Sequence, residues 1–330
     1  MTALNKFTLQ LTQSVGDYTL SETSALKTCG TYPRWNTLGP ETHIINCSDK
    51  RRFRNVYDTV NATLTALSVG DDGTLTDLAG TPNAAGGDFL AVAHNFYAAV
   101  LTFALPLNAD ADPAQLFAFD LNVPGTVPDL QDIPHPHQTL LDPTGSFVIV
   151  PDLGADLLRV FATDEDTGDL NACPDFNYTI GAGSAHGVFF TASKNQRMSF
   201  RRQNEETFLY VAGELNRGVE AFAVSYTEGE IRHVGEDVYV SIRLNEGSDA
   251  NGSISRLSRT CGGKVEFAEL LLTSNDVLPH TFAIKETGDL VAVRNNISPI
   301  VAIIEWDGVF GDVVTNLLVG APGEPDTLNV

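Results

Sequence analysis

The 330 residues carry 42 acidic against 20 basic side chains, a net charge of −22, and 43% of them are hydrophobic. That balance excludes nucleic acid and anionic membrane surfaces as partners, because both are held by clustered cations. The hydrophobic share excludes wholesale disorder, and no apolar run approaches the roughly 18 residues that cross a bilayer.

The acidity reads first as solubility; an anionic small molecule would need a local group of arginines set against the global field. The start, MTALNKFTLQL, lacks a basic segment followed by an apolar one, so no signal peptide is expected. The localisation is then secreted if a leader was removed, and cytoplasmic otherwise. Sequons at Asn46, Asn61, Asn177, Asn251 and Asn296 lean toward a secreted glycoprotein. Four cysteines show no CxxC or Cys-His spacing, so no zinc site is expected; Cys29 and Cys47 flank a turn-rich segment and either form a disulfide or stay as buried thiols.

In chain order, the first predicted strand pair is Pro33-Arg34-Trp35-Asn36-Thr37-Leu38 running into GPETHIINCSD. The basic run Lys50 to Arg54 reads as a solvated face on a loop or blade edge, and GDDGT at 70–74 as a hairpin turn. Phe89-Leu-Ala-Val then precedes AAVLTFAL. Pro136-His137-Gln138-Thr139-Leu140-Leu141 runs into DPTGSFVIVPD and DLLRVFAT, and Ser184-Ala185-His186-Gly187-Val188-Phe189 is a degraded copy of the same start. Further on, Phe208-Leu-Tyr-Val precedes GVEAFAV, and Val238-Tyr-Val precedes SISRLSR. Last, Pro279-His280-Thr281-Phe282-Ala283-Ile284 runs into KETGDLVAVRN and PIVAIIEWD. The polar segment between Thr191 and Thr207 is an insertion, read either as a flap over the channel or as a plain loop.

Each unit is a proline-led strand, a polar turn, a strongly apolar strand, a turn and a third strand. Pro136 and Ser184 lie 48 residues apart, and the longer intervals are about twice that. A period near 50 in a chain without helical periodicity is that of propeller blades. We expect an all-β, seven-bladed β-propeller of four-stranded antiparallel blades around a central channel, as a single domain over 1–330.

Such a fold turns recurring positions into one shared space. The second position of the proline motif gives Arg34, His137, Ala185 and His280. Three residues beyond the valine of each second strand lie Asn95, Leu153, Glu214, Arg243 and Asn296. His137 is the candidate acid–base group, since imidazole titrates near neutral pH; the alternative is a strand-end histidine bonded to backbone. His135, across a proline, is placed in loop and solvent. Glu214 and Arg243 share a register one blade apart, either as an inter-blade salt bridge or as carboxylate and anion grip of an active site. His94, His186, His280 and Arg294 are weaker candidates for substrate contact. GxSxG, P-loop and HExxH motifs are absent from the sequence, and it calls for no metal, cofactor or obligate protein partner.

DPTGSFVIVPDLGADLLRVFATDEDTGDL, with its preceding Pro-His, resembles the seven-bladed lactonase family, which includes propeller-type 6-phosphogluconolactonases and fungal 3-carboxy-cis,cis-muconate cyclases. GAGSAHGVFF stands where the family carries G-x-G-P-R-H-x-x-F. Gly213-Glu214-Leu215 matches its N-E-L turn, and Ser241-Ile242-Arg243 its S-x-R turn. The resemblance runs from about Thr31 to Trp306 and implies a propeller acting on a small molecule. It implies a catalytic histidine at His137, glutamate at Glu214 and arginine at Arg243. A second family arginine falls on Ala185 and the family proline on Ser184, which speaks against a substrate with several carboxylates. Three functions follow as expectations: a lactonase-like enzyme opening or closing a ring; a cyclase or isomerase of secondary metabolism on a less charged substrate; or a secreted binding propeller without catalysis.

Overall fold

Continuous apolar runs such as FVIVP and TFLYV need a strand covered on both faces. The structure, a computed structural model, supplies that cover by packing small sheets side by side. It describes residues 5–14, 17–27, 33–38, 43–48, 52–53, 56–57, 63–72, 74–77, 89–94, 98–104, 112–191, 207–224, 231–232, 238–242, 253–259, 265–272, 279–285, 289–295, 300–306 and 311–319.

β1 (Asn5–Ser14) pairs with β2 (Asp17–Lys27). β3 (Pro33–Leu38), β4 (His43–Ser48), β7 (Thr63–Val69) and β8 (Leu75–Asp77) form one sheet, with β5 (Arg52–Phe53) and β6 (Val56–Tyr57) as a separate hairpin. β9 (Phe89–His94), β10 (Ala99–Ala104) and β11 (Gln115–Ala118) form the next. Then come β12 (Leu140–Leu141), β13 (Phe147–Asp152), β14 (Leu157–Thr163) and β15 (Leu170–Ala172), with β16 (Phe176–Asn177) also on β14. β17 (Ser184–Thr191), β18 (Thr207–Gly213), β19 (Gly218–Val224) and β20 (Ile231–Arg232) follow. The last two sheets are β21 (Val238–Ile242), β22 (Ser253–Arg259), β23 (Val265–Leu272), and β24 (Pro279–Ile284), β25 (Leu290–Asn295), β26 (Ile300–Trp306), β27 (Gly311–Leu318). All pairings are antiparallel, and the strands follow chain order within each sheet, as blades require.

The core lies between blades. Ile149, Leu158 and Val160 of one blade pack on Tyr178, Ala182, Leu209 and Val211 of the next. Val100 packs on Val148, Val150, Phe161 and Leu170 across the preceding seam. Ile254 packs on Val291, Val293 and Ile304, and Leu20 on Leu290, Val301 and Ile303. Each such Val, Leu, Ile or Phe side chain contributes about 1.5–3 kcal/mol by leaving water. β18 is buried almost throughout, whereas β17 alternates, with Val188 and Phe190 exposed and Phe189 packed into the seam.

The proline motif has a backbone counterpart. The register slips by one residue between Pro33 and Trp35, between Ser184 and His186, and between Pro279 and Thr281. The Pro136–Asp152 bridge and the Leu140–Ile149 pair show the same slip. Four inner strands therefore carry one extra residue at the same place, and Arg34, Ala185 and His280 are the residues left out of pairing. The turns after the second strands recur as well. Ala98, Asp156 and Arg217 each precede the third strand, with left-handed φ of 48°, 51° and 58°.

Candidate active site at a blade seam

In an antiparallel blade the inner strand begins at the end where the second strand finishes, so the bulges and these turns share one rim of the channel. Two adjacent blades bring three polar side chains together there. His137 is fixed through its N–H, which donates to Pro151 O at 2.9 Å. Its ring meets that of His186 edge-on, with centroids 4.6 Å apart and planes at 81°. His137 Nε2 stands 3.6 Å from Glu214 Oε2. That exceeds a direct hydrogen bond, yet it is close enough for the carboxylate to stabilise a protonated imidazole. The side chains are 18% and 37% exposed, so both are open in part to solvent.

The surroundings explain why the three converge. Gln138 Oε1 accepts the N–H of Gly187 at 2.8 Å, tying the strand of His137 to that of His186. Ser184 Oγ donates to the carbonyls of Asp152 (3.2 Å) and Leu157 (3.0 Å), so this hydroxyl is a strut between blades. Glu214 opens the turn after β18, and its N–H donates to Gly183 O at 2.9 Å. Beneath the rim, the fully buried Asp152 takes the Arg159 guanidinium at 2.7 Å through both Nε and Nη2 and accepts the N–H groups of His135 and Ala155. Arg159 also reaches Asp175 at 3.1 Å and stacks on Phe119, 3.8 Å from the ring centroid. This buried pair is satisfied on every side, as a buried ion pair must be.

Several expectations change. His135 is buried, not solvent-facing: its backbone pairs with Asp152 and Leu153, and its ring Nε2 lies 3.1 Å from Asp132. Ala185 and Leu153 are also buried and present no open surface. Glu214 has His137 as one partner, and the expected pairing with Arg243 falls outside the described residues, as do Asn95 and Asn296. Arg34 and His280 sit at the bulges of β3 and β24, and His94 ends β9 in the register of Asp152. Arg294, near the end of β25, is 2% exposed. Residues 192–206 lie outside the described set, but Thr191 pairs with Thr207 at the end of β17 away from His186. Of the cysteines, Cys173 is a free thiol. Among the described residues, no group of three or more His, Cys, Asp and Glu is placed to hold a metal ion. Sequence reading passed over Gln138 and Asp156, whose only signal was their adjacency to His137 and to a turn.

A propeller with a histidine–carboxylate pair on the channel rim is the class that fold and site define. Residues 4–236 match the lactonase, 7-bladed beta-propeller family, and the chain belongs to that family. A curated relative, the "probable 6-phosphogluconolactonase" of Arthroderma benhamiae, is 35% identical over 178 residues, 51% of this chain and 42% of the relative. The match thus spans less than half of that relative's length. The periplasmic gluconolactonase of Pseudomonas aeruginosa is similar in structure, with a TM-score of 0.71 at 19% identity over 93% of this chain and 91% of that one. A protein from Lactobacillus plantarum gives 0.66 at 17% identity over 92% and 89%. At such identities the likeness shows the fold.

Proposed function

We propose that this chain opens small lactones with water, using His137 as general base and acid and Glu214 as its counter-charge. The observation that supports this reading is the 3.6 Å approach of His137 Nε2 to Glu214 Oε2 on the channel rim. Neutral His137 takes a proton from water as the water oxygen bonds to the ring carbonyl carbon. The imidazolium, held beside the Glu214 carboxylate, then returns that proton to the ring oxygen as the acyl C–O bond breaks, leaving a hydroxy acid. Acid–base help of this kind is worth about 10²–10⁴-fold in rate. Arg243, one residue beyond the end of β21, is proposed to grip the substrate's carbonyl or carboxylate oxygen. Arg34, His186 and His280, with His94 and Arg294, are proposed to complete the substrate's surroundings.

The names of the relatives, a 6-phosphogluconolactonase and a gluconolactonase, make sugar lactones the first class to test. A second reading, a cyclase or isomerase for a less charged molecule, draws support from two features. Ala185 stands in place of a cation, and Val188 and Phe190 are exposed on the side of β17 that carries His186. Purified protein is assayed by pH-stat on glucono-δ-lactone and on its 6-phosphate. Acid release above the spontaneous rate, reduced at least tenfold in Glu214→Gln, is expected. No acceleration with either lactone would remove sugar-lactone hydrolysis and leave the second reading or a binding role.

A further inference from the structure

Asp156 closes the turn between β13 and β14 with a left-handed φ of 51° and is 8% exposed. Ala98 and Arg217 hold the same place in their turns, yet only Asp156 brings a carboxylate. That carboxylate crosses the seam. Its two oxygens accept the N–H groups of Gly181 at 2.7 Å and Gly183 at 2.8 Å, on the segment that leads into β17. Both glycines are left-handed, with φ of 76° and 62°.

The carbonyls of the same segment serve the opposite partner. Gly183 O accepts from Glu214 N at 2.9 Å, and Ala182 O from Leu215 N at 3.0 Å. Residues 181–183 are therefore a strip one peptide wide between the Asp156 carboxylate and the turn that carries Glu214. The strip has no slack. A Cβ on Gly183 would lie 2.5 Å from Leu215 Cγ, and one on Gly213 would lie 2.3 Å from Asn216 Oδ1 and 2.8 Å from Ala182 O. A displacement on one side of the strip has to move the other.

We propose that Asp156 is a positioning residue: through residues 181–183 it sets the distance between Glu214 and His137. Its effect on rate rests on the catalytic reading above, whereas its effect on that distance does not. The place of this carboxylate supports the assignment: it stands across residues 181–183 from the turn that carries Glu214.

The test titrates the His137 imidazole by NMR, with its signal assigned by loss in His137→Gln. In the wild-type protein, Glu214→Gln is expected to lower the His137 midpoint, because a nearby negative charge is removed. In Asp156→Gly, which keeps the left-handed backbone without the carboxylate, the same Glu214→Gln change is expected to shift it by less than half as much. Asp156→Asn, which retains one acceptor and tolerates this φ, is expected to fall between, and it carries the comparison should Asp156→Gly not fold. An undiminished Glu214 effect in both variants overturns the proposal. On glucono-δ-lactone, Asp156→Gly should lower kcat about tenfold, within the range that small misplacements cost, and add little in a Glu214→Gln background. Equal losses in both backgrounds also overturn it. A wild-type protein without lactonase activity would defeat the catalytic reading alone, because the imidazole titration still decides the role of Asp156.

Discussion

Arg159 forks onto Asp152 across one blade, with Nε and Nη2 both 2.7 Å from Oδ2, and the remaining Asp152 oxygen holds the N–H groups of His135 and Ala155. One carboxylate thereby joins the strand that starts His137 to the turn that ends in Asp156. Removing Arg159 leaves the buried Asp152 charge with two N–H groups alone, and removing Asp152 leaves Arg159 with the partly exposed Asp175. Asp152→Ala and Arg159→Ala should each lower stability by about 3–5 kcal/mol, read from urea midpoints at unchanged slope. Arg159→Lys should recover only part of this, because an ammonium cannot reproduce the planar fork.

Ala98 adopts a left-handed φ of 48° in a turn where Asp156 and Arg217 do the same. For an alanine that conformation costs about 1–2 kcal/mol, and glycine avoids the clash. Ala98→Gly should therefore raise stability by about 1 kcal/mol. The same exchange at Asp156 should lower it, since two inter-blade hydrogen bonds go with the side chain. Thermal unfolding of the two variants beside the parent checks the opposite signs.

The turn at Asp164 and the carboxyl of Asp175 should respond to pH in opposite directions. Asp164 is held below the usual carboxylate range by hydrogen bonds, chiefly from Thr167. Its contribution is present above the unfolded value of about 4 and is lost as pH falls through the folded one. Asp175 is pushed up, first by burial and against the pull of Arg159. Its folded form holds a proton longer than the unfolded one, so its cost is absent at low pH and appears as pH rises through the folded value. The stability lost in Asp164→Ala should shrink in acid. Asp175→Asn, which keeps an acceptor for Arg159, should gain on the parent as pH rises.

Most of the fold was legible because its signals are local. Paired strands such as Phe147–Asp152 with Leu157–Thr163, and Leu290–Asn295 with Ile300–Trp306, are apolar runs bounded by Asp-, Thr- and Gly-rich turns. The site was legible in part. His137 and Glu214 came from counting equivalent positions along repeats, and the structure sets them 3.6 Å apart. The contact of His186 with His137 was not legible because the bulge adds a residue: Ala185 fills the extra position, and the alternation restarts at His186. The burial of His135 and the work of Gln138 and Asp156 depend on backbone N–H groups of other strands and of the next blade. No spacing within their own segments reveals those partners.

The account turns on His137 handling a proton. The direct measurement is kcat and KM for glucono-δ-lactone in the wild-type protein and in His137→Gln, across pH. A loss in kcat of about 10²-fold or more with KM little changed is predicted, together with disappearance of the acid limb of the wild-type profile. Equal kcat in both proteins, with the acid limb intact in His137→Gln, would contradict it.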